Sequence, residues 1–261
     1  MLLFLSSTWL LFRAQLAGVI VAKRTRICLL LALLPIAFAA FAVTVAERVG
    51  AAPAREIGWL LQVQVLVPLL ALVLGSSVVA GEVENRTVTY LFTRPIPRAS
   101  VLLGGWLAVV LVLLSLQLTS AAVMLHTLRT GLWWGVGDEL PDGVAAPLLV
   151  AVGFGTIVYS ALFASLGTLV KHPMVIGLGY VFAFEVLLSN LPGSNQGLTI
   201  QYYLRSYVWQ VGEETWRNMD VFQTLVYESA SGAVWTLVVV TVISLLGGGW
   251  AVSRKQYVLP A

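Results

Sequence analysis

Long apolar runs alternate with short polar connections along this chain. Six runs are long enough to cross a bilayer: about 27–45, 58–80, 101–125, 144–170, 173–191 and 232–252. A spanning helix needs ~20 mostly apolar residues. Strands of a membrane barrel would instead alternate polar and apolar side chains with a period of two. These runs are continuously apolar, so the pattern predicts an all-α membrane protein with six transmembrane helices in a single domain over 1–261. The runs are free of charge except the fifth, which contains Glu185.

The connections orient the helices. One side receives 1–26, 81–100, 171–172 and 253–261, with Arg13, Lys23, Arg24, Arg26, Arg86, Arg94, Arg98, Lys171, Arg254 and Lys255. The other receives 46–57, 126–143 and 192–231, with only Arg48, Arg55, Arg129, Arg205 and Arg217 and most of the acids. Basic residues gather on the cytoplasmic side of membrane proteins, so both termini are expected there. The opening "MLLFLSSTWLLF" is too short to span. It also lacks the preceding basic residue and the small-residue cleavage site of a signal peptide. Residues 1–26 are expected to form an interfacial helix, with Arg13, Gln15 and the 23–26 basic cluster toward water and headgroups. The alternative is an apolar tail with no docking role. The last outer connection, 192–231, is long for a structureless loop. Its aromatic, amphipathic "LTIQYYLRSYVWQVG" predicts a short helix on or in the outer face.

Composition agrees. Hydrophobic residues make up 59% of 261 and charged residues 10%, against roughly a quarter charged in soluble domains. Mean hydropathy is +0.92. The net charge of +3 comes from residues flanking the apolar runs, which argues for orientation signals and against nucleic-acid binding. Cys28 is the single cysteine, so an internal disulfide and a multi-cysteine metal cage are excluded.

Catalytic signatures are absent. The sequence contains no G-x-x-x-x-G-K-[ST], no H-E-x-x-H and no G-x-S-x-G. His126 and His172 fall on opposite sides of the predicted membrane. Asn85-Arg86-Thr87 matches a glycosylation sequon but lies on the cytoplasmic side. No nucleophile with a base, and no clustered set of metal ligands, occurs at one depth.

Polar residues inside the runs are therefore the candidates for function. Glu185 lies ~18 Å up its helix from Pro173 at 1.5 Å per residue. Intramembrane acids face the bundle or a wet cavity and have a partner. Three roles stay open: lining a path or relaying protons, bridging to a basic residue of the outer loop (Arg205 is the candidate), or standing solvated at a short helix end. Gln62, Gln64 and Gln117 are either path-lining or ordinary interhelical hydrogen-bonding groups. Gln62 and Gln64 are two apart and cannot share a face. "GFGTIVYSALFASLGTLV" in the fourth run is rich in small residues, which favours close helix packing.

One segment remains: "AGEVENRTVTYLFTRPIPRAS" at 80–100, followed by "VLLGGWLA". Gly81, Glu82, Glu84, Thr87, Leu91, Thr93, Pro95, Arg98 and Gly104 stand where permease subunits of type-2 ATP-binding cassette (ABC) exporters carry their cytoplasmic loop motif. The segment resembles that family, as do the basic N-terminal helix, the six spans and the long final outer loop. "FEVLLSNLPG" looks like bacterial members of the group. The resemblance implies a bacterial inner-membrane protein whose loop forms a cytoplasmic coupling helix docking on a separate ATPase subunit. It also implies ATP and Mg bound by that partner, with no cofactor on this chain, and a homodimer or heterodimer of permeases. Glu82, Glu84, Arg86, Thr87, Tyr90, Leu91, Phe92, Arg94 and Arg98 are the docking residues so implied. Tyr90, Leu91 and Phe92 match the aromatic bias of interface anchors, and Pro95 and Pro97 stiffen the entry to the third span. An ATP-independent transporter and a non-transport assembly or signalling subunit are the rival readings. Sparse intramembrane charge leans toward an amphiphilic or apolar cargo.

Overall fold

A computed structural model describes residues 2–45, 55–78, 97–130, 143–190, 194–212, 214–217 and 227–254. Every regular element among them is helical. α1 (Leu2–Val21), α2 (Lys23–Ala32) and α3 (Leu34–Val45) follow one another, and α2 with α3 makes the first apolar span. Next come α4 (Ile57–Gly75), α5 (Arg98–Thr130), α6 (Ala145–Leu169) and α7 (Pro173–Leu187). Two short helices follow, α8 (Ile200–Val211) and α9 (Glu214–Arg217), and then α10 (Ala230–Arg254).

Five of the six expected spans are long and apolar enough to cross a membrane: Lys23–Val45, Ile57–Gly75, Ala99–Thr130, Ala145–Leu169 and Ala230–Arg254. The remaining run, 173–191, is a shorter apolar helix, Pro173–Leu187, closed by a tight turn at Leu188–Asn190. At 1.5 Å per residue it rises about 22 Å, less than the ~30 Å hydrocarbon core. Its end turns inward, toward α8.

Two boundaries differ from expectation. The first helix breaks at Ala22, whose ψ of 141° is extended, so Lys23, Arg24 and Arg26 open the first span instead of closing the N-terminal helix. Long basic side chains are good helix formers, and nothing around 26 stops the helix. α5 continues through His126–Thr130, expected as outer loop. Leu128 is buried there, and the Thr127 and Thr130 hydroxyls donate to Val123 O and His126 O at 2.9 Å each. Arg129 suits the negative end of the helix dipole.

The bundle has a clear centre. In α4 and α6, 67% of the apolar window is buried, against 28% for α2–α3 and 11% for α10. α6 packs on α4, α5, α8 and α10. α10 presents Trp235, Val242, Ile243 and Leu246 outward, as a lipid-facing helix does.

Candidate functional site

The expected docking residues Glu82, Glu84, Arg86, Thr87, Tyr90, Leu91, Phe92 and Arg94 lie outside the described residues. Arg98 is the first residue of α5. What is described is the base from which that loop leaves. There the backbone of Gly104 meets α1: a methyl added to it would stand 2.9 Å from Leu11 Cβ and 3.0 Å from Thr8 O. A methyl on Gly105 would stand 2.5 Å from Gln15 Oε1 and 2.6 Å from Val78 Cγ1. Val78 follows α4 and Gly105 lies in α5, so the two stems of the loop touch, with α1 across them. On the other side of the α4 terminus, a methyl on Gly167 of α6 would stand 2.6 Å from Ser76 O. Real Cβ atoms do not approach so closely, so α5 meets the α1 backbone at Gly104 and α6 meets the backbone at the α4 terminus at Gly167, while Gly105 makes room for the Gln15 and Val78 side chains. Trp106 Nε1 donates to Ser160 Oγ at 3.1 Å and ties α5 to α6 just above. The result is a close-packed platform under the loop.

The other half of the bundle is held differently. Pro68 sits in α4, and the stretch before it, Ile57–Leu66, is wound as a π-helix in which Val67 N–H reaches back five residues to Gln62 O. The next N–H in that register would belong to residue 68, and proline has none. Val63 O is therefore left without its helical donor, and Gln201 of α8 supplies one, Nε2 to Val63 O at 3.1 Å. On the opposite flank Gln117 of α5 donates from Nε2 to Leu66 O at 3.2 Å. Gln62 Nε2 donates to Gln117 Oε1 at 2.7 Å, and Ser120 Oγ donates to Ala32 O and toward Gln62 Oε1. Gln62, Gln117 and Gln201 are fully buried. In a dry interior each carbonyl needs such a donor.

Glu185, also fully buried, closes the same layer. Its Oε1 accepts from Tyr180 Oη at 2.6 Å and Ile200 N at 3.1 Å, and its Oε2 accepts from Gln201 N at 3.1 Å. Thr199 Oγ1 accepts from Tyr202 N at 3.2 Å. The first turn of α8 is thus capped twice, by a threonine and by a carboxylate from another helix. Unpaired N–H groups and the positive dipole end make that turn an anion site. Glu185 fills it from within the chain.

Arg205 stands one turn further along α8 and is 1% exposed. Its guanidinium donates from Nη1 to Ser189 O at 2.9 Å and from Nη2 toward Ser189 Oγ at 3.4 Å, while Ser189 Oγ donates to Glu185 O. Glu185 and Arg205 thus belong to one network through Ser189. Burial draws the Arg205 guanidinium below its ordinary pKa, and Tyr227, Tyr159 and Glu185 pull it back. Gln64 is buried as well, but its Oε1 has no hydrogen-bond partner among the described residues.

α8 seats as a wedge. Ile200, Gln201, Leu204, Arg205 and Val208 form its buried stripe, at the four-residue spacing of one helix face. Trp216 of α9 is fully buried, edge-on to Trp59 of α4 at 6.5 Å, and its Nε1 donates to Gly143 O at 3.1 Å. Sequence reasoning singled out Gln62, Gln117, Glu185 and Arg205, all of which meet in this layer. It missed Tyr180, Ser189, Thr199 and Gln201. Two signals were present: a threonine opening an amphipathic run is an N-cap pattern, and Pro68 inside an apolar run announces a carbonyl in need of a donor.

A family model described as ABC-2 family transporter protein matches residues 40–247. No curated protein matches the chain.

Proposed function

The chain belongs to the ABC-2 family of transporter proteins and is a multi-pass membrane permease, and from that premise we propose that it forms the substrate path of an exporter driven by a separate ATPase subunit. The family match across most of the chain carries this reading. ATP and Mg bind the ATPase, and this chain holds no cofactor. Residues 81–98 dock on that partner, with Tyr90, Leu91 and Phe92 as apolar anchors and Arg94 and Arg98 facing its acids or lipid phosphate. Two permease copies, identical or related, complete the path. Both termini face the cytoplasm of a bacterium, across its inner membrane, and the cargo is amphiphilic or apolar.

Packing supports a division of labour. A lever must not absorb the displacement it transmits, and a platform in which helices meet at backbone contact distance is stiff. In the outer layer, hydrogen bonds set the positions of α7 and α8, and hydrogen bonds break and reform at modest net cost. Gln62, Gln117 and Glu185 serve in this reading as the polar clasp that shapes the outer end of the path. Co-purification tests the docking. Replacing Tyr90, Leu91 and Phe92 together by Ala should abolish ATPase capture while leaving the purified permease folded. Undiminished capture and ATP-coupled transport would overturn the proposal.

A further inference from the structure

Two stretches among the described residues are wound as π-helix, Ile57–Leu66 in α4 and Val181–Leu187 in α7, and the first turn of α8 bonds to both. Glu185 of the second accepts from Ile200 N and Gln201 N, and Gln201 Nε2 donates to Val63 O of the first. π winding is rare, mostly confined to single turns, and gathers at functional sites. Ten residues of it in α4 therefore need a cause. Pro68 supplies half of one. Its missing N–H leaves Val63 O open in the π register, where residue i+5 is the donor. In the α register, where residue i+4 is the donor, the same gap would fall on Gln64 O instead. Neither winding satisfies every carbonyl from within the helix, and an open carbonyl in a dry interior is costly. The choice falls to an outside donor. Gln201 is fully buried, and its amide reaches Val63 O, the carbonyl that the π register leaves open. Val67 N–H goes to Gln62 O; α winding would give it to Val63 O.

We propose that Gln201 is a positioning residue that sets the register of α4. With α8 seated, its amide holds Ile57–Leu66 in the π winding. When α8 withdraws, Val67 N–H turns to Val63 O, and each amide before it moves to a carbonyl one residue nearer. The segment rewinds as α-helix. Rewinding lengthens it, because α turns are narrower and rise further per residue, and it turns Gln62 and Gln64 about the helix axis. Gln62 leaves Gln117, its partner in the π register. Gln64, whose Oε1 is buried without a hydrogen-bond partner, comes to a new face. A movement of α8 thereby becomes a rotation within α4, one of the two most buried spans. The device rests on the outer layer acting as a clasp but needs no ATPase, so it can fail while docking stands, and the reverse.

Electron–electron distance measurement on the purified full chain tests it. Spin labels are placed at Leu60→Cys of α4 and Leu107→Cys of α5, both exposed positions, in a Cys28→Ala chain diluted with unlabelled copies. With Gln201 and Pro68 intact, one main distance is expected. Gln201→Leu removes the donor and should shift that distance by a few ångströms. The reason is that ten residues at the α rise of ~1.5 Å span about 15 Å, and the same residues in π turns span less. Pro68→Ala restores an N–H that satisfies Gln64 O in the α register. It should give the same shift with Gln201 in place, and Gln201→Leu should add nothing to it. Arg205→Gln loosens α8 but leaves Val63 O its donor, and should leave the distance where it was. A distance unmoved by Pro68→Ala, or by a folded Gln201→Leu, would overturn the proposal. So would an equal shift in Arg205→Gln, since the seat of α8 and not the Gln201 amide would then set the register.

Discussion

The two ends of the bundle are held by opposite means. Under the loop, Gly104 and Gly167 bring helices to backbone contact, Gly105 makes room for the side chains of Gln15 and Val78, and added bulk has nowhere to go. At the other end, Glu185 accepts from the first amides of α8, Gln201 supplies a donor to the carbonyl that Pro68 leaves open, and Gln117 donates to Leu66 O while accepting from Gln62. The first arrangement fails by overpacking and the second by loss of a polar group. Dispersion contacts fall away once atoms separate, so the platform moves as a block or not at all. A hydrogen bond can exchange partners, so the clasp can open and close.

The sharpest way to break this contrast is to remove polarity from the clasp. Glu185→Ala should destabilise the purified protein by about 3–5 kcal/mol. It leaves the Tyr180 hydroxyl and two buried amides without an acceptor, at ~1–3 kcal/mol each. Thermal unfolding in detergent checks it. Adding bulk to the platform comes next: Gly167→Val should lower stability by about 3 kcal/mol, since even its Cβ meets Ser76 O. Gln201→Leu should lose about 1–2 kcal/mol by orphaning Val63 O, with Gln117→Leu near the lower figure. Glu185→Gln and Arg205→Gln each remove one of two opposite charges that act on each other, so the double variant should lose less than the sum of the singles; a fully additive loss would separate the two residues into independent sites. Gly179→Ala is the smallest test. Nothing lies within 4 Å of the added methyl, and its effect should stay within about 0.5 kcal/mol.

The membrane spans were legible in sequence, because bilayer thickness and apolar length are tied by simple geometry. α6 and α10 fall within two residues of the runs predicted for them. The outer amphipathic helix was legible from "LTIQYYLRSYVWQVG", and Glu185 from being the one acid in an apolar run. Its partner was not. The search for a counter-charge pointed to Arg205, whereas the carboxylate oxygens go to Tyr180 and to the backbone amides of α8. Backbone donors carry no sequence label, and only the three-dimensional approach of α7 to α8 makes them available. The break at Ala22 was illegible as well, because alanine is a good helix former and its residue type does not mark the extended ψ it adopts. Gly104 was legible as a position of the loop motif, but that its neighbour across the contact is α1 follows from packing alone.

Amide hydrogen exchange, followed by mass spectrometry on the permease bound to its ATPase with and without ATP, tests the central claim most directly. The account predicts unchanged protection over 98–110 and faster exchange over 181–205 when ATP is present. Faster exchange over 98–110 with 181–205 unaltered would contradict it.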